Sequence, residues 1–509
     1  MMKILKKASA VLCTAAVLLG TGFSASAEAL DLDAALNNRN WSRSVEKAME
    51  LDQTPGLALA AVSGGEVRYF NRGFGNLKTM TPVTEDTVFE IGSCTKAFTA
   101  LSVLLLQEEG KLSIEDSIGD YLPWWHVTYQ GQDADVKIWQ VLNHCAGIPN
   151  GKTMAEYSFG TDPALIEKDA KIAENLALAR EPGEAFEYCN LDYVILACLT
   201  QTVSGMPFND YVVQNICQPI GMTHSGYDLP TTQGYIYFYG RQKAYTSPRM
   251  KSSDGDGFLI TTPADMARWI QAQLGELDLP ENLANAIKAS HEQIPEHKPE
   301  NSAEENYFNG WSILRNGILL HTGMNPTFTS MLIIDPEKDT GVFSVCNSVT
   351  NASEAAYSFY LTLIGDKDAQ NMIPSRNMMN TLDRISFAAG CIFAALLILV
   401  LLRILTQNKR LVRKSSTLRR ERTRLVIRLM ILLPLLVLAV SLPYLLGNLM
   451  GYSGFGYVMI WYWGAHSFLA STGIMIVWVL LMILGSIKRF IWCKRDAKAR
   501  RDALSAEVS

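Results

Sequence analysis

The sequence predicts an α+β (broadly α/β) fold: one antiparallel sheet made by strands from both ends of a domain, a helical subdomain inserted between them, and three transmembrane helices after it. Three observations carry this. Strand-like runs cluster near residues 56–74 and again near 311–345, and the stretch between them is mainly helical in pattern. Three apolar segments of membrane-spanning length then follow residue 384.

The first strands, Gly56–Ala61 and Val67–Phe74, flank Ser63-Gly64-Gly65-Glu66, a hairpin signal. The second set is Trp311–Leu314, Ile318–His321, Phe328–Ile334 and Thr340–Val345, with its last turn at Asp335-Pro336-Glu337-Lys338-Asp339. Apolar residues at Ala97, Phe98, Ala100, Leu101, Leu104 and Leu105 recur at helical spacing and stop at Gly110. Leu191–Ser204, Pro207–Gln218 and Thr262–Leu274 are further helices, and Ser353–Ile364 is the last before the membrane.

Compartment is written in the charge distribution. Lys3, Lys6 and Lys7, an apolar stretch and Ala25-Ser26-Ala27 read as a secretory signal over residues 1–27. An exported domain spans 28–370 and a linker 371–384, followed by spans at about 385–405, 427–447 and 466–487 and a basic tail at 488–509. Arg403 to Arg428 holds ten Lys/Arg against one acid, whereas Asn448–Trp463 carries no charge and is rich in Tyr, Trp and Gly. Positive-inside bias puts the basic segments in the cytoplasm, and the domain and aromatic turn outside. The expected location is therefore a multi-pass inner or cytoplasmic membrane protein with an extracytoplasmic, periplasm-facing domain. Residues 28–384 carry a net charge of −21, which excludes nucleic acid as a partner. The six cysteines of that domain match no disulfide framework and are expected to be small buried packing residues.

Three short motifs carry chemistry. Ser93-Cys94-Thr95-Lys96 follows an apolar run and opens a helix, so Lys96 falls one turn from Ser93 on the same face. A serine needs such a neighbour to become a nucleophile. Tyr188-Cys189-Asn190 follows a Pro-Gly loop; if extended, it points Tyr188 and Asn190 to one side. A phenol beside the Lys96 charge could act as base. His321-Thr322-Gly323 closes a strand, and the Met324 N–H after it could join the Ser93 N–H in holding an oxyanion.

In this order and context, the three motifs resemble the serine penicillin-recognising family, in particular its class C beta-lactamase and D-peptidase branch. Supporting stretches are Val141–Pro149, Gln218–Met222 and Thr262–Ala267, and the resemblance covers nearly all of 40–365. It implies a class C beta-lactamase-like fold and an acyl-enzyme mechanism with no metal and no cofactor. Ser93, Lys96 and Tyr188 are the catalytic residues it implies. Asn190, His321, Thr322, Gly323, Met324 and Asn325 are the substrate-binding ones.

A domain of this kind followed by three membrane helices is similar to the prodrug-activating peptidases of nonribosomal peptide pathways, the colibactin-maturing type among them. Tyr121-Leu122-Pro123, Tyr129-Gln130-Gly131 and Asn325-Pro326-Thr327-Phe328 match that group. The resemblance implies removal of an N-acyl-D-asparagine cap from an exported precursor, with Asn325 reading the D-Asn side chain. Two residues depart from the pattern: Asn190 where Ser can stand, and Ile260 where a His helps read the amide. Changes of that kind shift specificity. The expected partners are an acylated peptide-like small molecule and membrane lipid, with a transporter and a second copy of the chain as further candidates. A D-aminopeptidase or esterase of the same family is the main alternative. Beta-lactamase or D-Ala-D-Ala carboxypeptidase activity is disfavoured by His321 in place of Lys. An acylation-dependent membrane sensor is the non-enzymatic alternative.

Overall fold

The computed structural model of the protein describes residues 30–149, 156–299, 306–314, 316–366, 376–406, 417–449 and 456–508. The signal peptide expected at 1–27 and residues 371–375 of the expected linker lie outside them. Among the described residues, eight strands form one antiparallel sheet: β1 (Gly56–Ser63), β2 (Glu66–Asn76), β3 (Thr81–Pro82), β4 (Tyr307–Phe308), β5 (Trp311–Ile313), β6 (Leu319–Asn325), β7 (Phe328–Asp335) and β8 (Thr340–Cys346). Their order is β4-β5-β6-β7-β8-β1-β2-β3, so the early and late strand sets meet where β8 pairs with β1. That is the closure expected from strands at both ends.

Central β1 is buried along its whole length, and its alternation sorts two cores. Ala58, Ala60 and Val62 face the helical region. Leu57, Leu59 and Ala61 face a second layer made by the helices Leu32–Leu36, Arg39–Asp52 and Ala355–Leu363. Trp41 locks that layer: its ring lies 4.7 Å from Phe70 and 4.9 Å from Phe359, and its indole N–H donates to Ser358 Oγ at 3.1 Å.

Two local expectations change. Pro207–Gln218 is not one regular helix: Phe208–Val212 is followed by a wider turn over Val213–Cys217, then Gln218–Ile220. Pro219 has no N–H and crowds the carbonyl four residues back, so the backbone opens there. His321-Thr322-Gly323 does not close a strand either. It lies inside β6, which runs on to Asn325 and pairs with β7 throughout.

Among the described residues, three helices are long and apolar enough to cross a membrane, Met378–Leu405, Leu418–Leu449 and His466–Val508. The first starts inside the stretch expected to be linker, because Asn377 caps it through Met379 N. Gly390 lies against Ser471 of the third helix, where a Cβ would come within 2.5 Å of Ser471 Oγ, so this small residue serves packing within the chain.

The helices are docked onto the domain by buried carboxylates. Asp383 accepts from the Tyr239 and Gly240 amides at 3.0 and 2.6 Å, at the turn of the 235–244 hairpin. Asp52 accepts from Thr350 Oγ1, Asn351 N, Asn377 N and Asn380 Nδ2 within 3.1 Å. Removing such an acceptor strands several buried donors. Asp52→Ala is expected to lower stability by about 3 kcal/mol and Asp52→Asn by less, measured as the thermal midpoint of the full-length protein in detergent micelles.

Candidate active site

Gly92–Cys94 forms a single tight helical turn ahead of the helix Thr95–Glu108. Ser93 therefore sits on that turn, not on the regular helix, and the three-residue spacing still brings Lys96 beneath it. Lys96 Nζ lies 3.0 Å from Ser93 Oγ, and the Tyr188 hydroxyl donates to the same Oγ at 2.8 Å. Lys96 is fully buried; its other partners are Asn190 Oδ1 at 2.9 Å and the Asp256 carbonyl at 2.7 Å. The structure thus brings together Ser93, Lys96, Tyr188 and Asn190. Cys189 is extended and Asn190 opens the helix Asn190–Ser204, which turns both flanking side chains toward Lys96.

Burial is the largest influence on Lys96 and lowers its pKa to about 8; the Asp256 carboxylate opposes this most, ahead of Cys189, Asp192 and Cys94. An amine deprotonating there can accept the Ser93 proton near neutral pH. Asp256 is itself buried and pushed up to about 6, again mainly by burial, with Lys96 pulling it down.

β6 closes the other side. Gly92 has φ +53°, and a Cβ on it would sit 2.3 Å from Met324 N. A Cβ on Gly323 would sit 1.9 Å from the Ile91 carbonyl oxygen. Only glycine at both positions lets the Ser93 turn and β6 approach so closely, and this approach puts the Ser93 and Met324 amides on neighbouring backbone. Ser330 Oγ donates to the Ile91 carbonyl at 2.7 Å and steadies the same junction.

His321 is buried. Its Nδ1 lies 2.7 Å from the Thr322 carbonyl and its Nε2 3.1 Å from the Tyr307 hydroxyl. Those partners assign an Nδ1–H donor and an Nε2 acceptor. Burial, with repulsion from Lys96, drives its pKa down to about 3, so the ring is neutral. Asn325 is also turned inward: Nδ2 donates to Glu90 Oε2 at 2.7 Å and to the Gly257 carbonyl at 2.9 Å. Ile260, buried in a short strand, pairs with Glu90.

The motifs did not disclose several neighbours. Asp256 and Gly257 offer backbone carbonyls to Lys96 and Asn325; the only local signal is the Asp254-Gly255-Asp256-Gly257 loop. His144 and Asp192 form a buried pair, Nδ1 to Oδ2 2.7 Å, and Cys189 N–H also approaches that Nδ1 at 3.3 Å. Burial raises the Asp192 carboxyl and lowers the His144 imidazole, and the pair lies under the Tyr188 ring, 4.5 Å from His144. Cys94, Cys145 and Cys189 are buried, as expected of packing residues. Burial holds the Cys94 thiol up at about 12.

The ordering of these influences fixes a sign. Asp256 holds Lys96 up, so Asp256→Asn should let Lys96 fall further below its ordinary value. The alkaline rise in the rate of Ser93 labelling by a fluorophosphonate is then expected at lower pH than in the wild type. An unshifted or upward-shifted limb would contradict the arrangement.

Comparison with known proteins agrees with the geometry. A family model described as Beta-lactamase matches residues 41–366. Protein flp of Staphylococcus aureus (strain N315) is 25% identical over 312 residues, covering 60% of this chain and 61% of its own length. The match thus spans about three-fifths of that relative. Among solved structures, the octameric penicillin-binding protein homologue from Pyrococcus abyssi is similar with TM-score 0.58 and 25% identity, over 69% of this chain and 81% of that one. A class C beta lactamase from Rhodobacter sphaeroides shares the fold with TM-score 0.52 and 20% identity, over 64% of this chain and 99% of that one. With a family model matched across well over half of its length and a sheet that joins early and late strands, the chain belongs to the Beta-lactamase family of penicillin-binding-protein-like hydrolases.

Proposed function

We propose that this protein is a membrane-anchored serine hydrolase that works through an acyl-enzyme and removes an N-acyl-D-amino acid cap, D-Asn-like, from an exported peptide prodrug. One observation carries the hydrolase reading: Ser93 Oγ is held between Lys96 Nζ at 3.0 Å and the Tyr188 hydroxyl at 2.8 Å. Ser93 Oγ attacks the substrate carbonyl while its proton passes to Lys96 or Tyr188. The amides of Ser93 and Met324 receive the oxyanion, and the proton is returned to the leaving amine. Water then cleaves the ester, restoring Ser93. Asn190 fixes Lys96, and the Thr322–Met324 backbone lines the acyl side.

The peptidase reading is supported by what the site does not offer. A neutral His321 bonded to Tyr307 and the backbone provides no permanent cation for a substrate carboxylate. Poor nitrocefin turnover by the wild type is therefore expected, and efficient hydrolysis would contradict it. The anchor supports a lipophilic substrate at the membrane, with the basic loops cytoplasmic and the domain outside. Asn325 gives both amide hydrogens to Glu90 and Gly257, so a contact to a substrate carboxamide would run through its Oδ1. That commitment, and apolar Ile260, favour a second reading, a D-aminopeptidase or esterase of the same family.

Membranes bearing the protein, incubated with matched N-myristoyl-D-asparaginyl and N-myristoyl-L-asparaginyl amides, separate the two. Selective D-cleavage that vanishes in Ser93→Ala supports the prodrug reading. Cleavage of neither, with Ser93 still labelled by a fluorophosphonate, rejects it and leaves the second. Absence of Ser93 labelling rejects both.

A further inference from the structure

The described part of the connection between the second and third membrane helices, residues 456–465, packs into the domain. Its short helix Tyr457–Tyr462 buries Met459, Ile460 and Tyr462 in the large apolar core between the sheet and the helices. Tyr462 is only 2% exposed. The Tyr245 hydroxyl reaches the carbonyls of Trp461 and Tyr462, both at 3.5 Å, and His466 meets the Tyr245 ring edge-on at 5.0 Å. Gly464 has φ +75° and lies so close to the 235–244 hairpin that a Cβ would stand 2.5 Å from Ile236 Cγ2.

From Tyr462 a short series of contacts runs to the candidate nucleophile. Its ring packs on Phe159, centroids 5.5 Å apart. The next residue, Gly160, is bonded on both sides, its N–H to the Arg249 carbonyl at 2.8 Å and its carbonyl to the Lys251 amide at 3.1 Å. That strip leads into the tight turn Lys251–Asp254 and then Gly255-Asp256-Gly257. Gly255 accepts from Thr99 at 2.6 Å, Asp256 from Lys96 at 2.7 Å and Gly257 from Asn325 at 2.9 Å. The Tyr462 phenol also lies within the fields of Glu90, Asp256 and Arg249, and burial with both carboxylates raises its pKa.

We propose that Tyr462 is a positioning residue of the active site, acting through Phe159 and the Arg249–Gly257 segment on Lys96, so that the membrane anchor and the hydrolase domain are one functional unit. The proposal rests on the reading of Ser93 as nucleophile. Tyr462 closes one side of the structure that keeps Lys96 dry. Facing Lys96 are Asp256, which most holds its proton on, Asp192, the buried thiols of Cys189 and Cys94, the Tyr188 and Tyr193 rings, and His144 and His321, both lowered by burial. Losing the Tyr462 ring admits water, weakens the burial that lowers Lys96 and returns it toward its ordinary value. That direction is opposite to the one expected for Asp256→Asn.

The test uses full-length protein in detergent micelles and the rate of Ser93 labelling by a fluorophosphonate across pH. Tyr462→Ala is expected to label about ten-fold more slowly at neutral pH, with its alkaline rise moved to higher pH. Tyr462→Phe should behave as wild type, as should Val458→Ala, an exposed change on the same turn. Phe159→Ala should reproduce the Tyr462→Ala effect, and the double variant should be no slower than either. Wild-type rate and pH limb in Tyr462→Ala would overturn the proposal. If that variant does not fold, Phe159→Ala, at an exposed ring, decides, and an unchanged limb there overturns it equally. A wild type that is not labelled at Ser93 would instead overturn the hydrolase reading itself.

Discussion

Burial of the Lys96 ammonium is the constraint on which the site depends. A cation taken out of water must be met by fixed acceptors, and here they come from three separate parts of the chain. Ser93 belongs to the same helix start, Asn190 opens a second helix, and Asp256 lies in a loop far along the sequence. Satisfying one side chain thus fixes the relative positions of the helices Thr95–Glu108 and Asn190–Ser204 and of the 251–257 segment. The same desolvation moves the amine toward a range where it can exchange a proton with a serine.

Close backbone approach is the second requirement, and two glycines meet it. Gly92, in the turn that carries Ser93, lies against β6, and Gly323 of β6 lies against Ile91, at distances no side chain would allow. The sheet therefore does more than carry a core: its β6 strand supplies the wall against which Ser93 is displayed. Neutral His321, fixed between Tyr307 and the Thr322 carbonyl, gives that wall hydrogen-bonding character without charge.

The junction with the apolar helices follows the same economy of buried polar groups. Asp52 and Asp383 collect backbone and side-chain donors from the domain and the first apolar helix, and Ser467 of the third helix adds an acceptor at Tyr239. Met459, Ile460 and Tyr462 complete the contact with apolar area. Two polar anchors and one apolar plug give the domain a defined seat on its helices.

Much was legible in the chain order. Alternation in Gly56–Ala61 and Phe328–Ile334, the helical spacing after Ser93, and three long apolar runs are local patterns, and local patterns survive in one dimension. The Ser-x-x-Lys spacing also foretold the contact of Ser93 with Lys96, since one helical turn is enough to make it. The Tyr188-Cys189-Asn190 segment was readable as extended, but its meeting with Lys96 was suggested by resemblance and not by spacing. Other features had no local signature. The Asp256 carbonyl under Lys96, the Asn325–Glu90 bond, the buried His144–Asp192 pair and the packing of Tyr462 into the apolar core all join residues distant in sequence. The sequence by itself determined which residue types and periodicities were available. Only the tertiary structure decided which buried donor met which acceptor, because that pairing is set by desolvation across packed elements and not by neighbours along the chain.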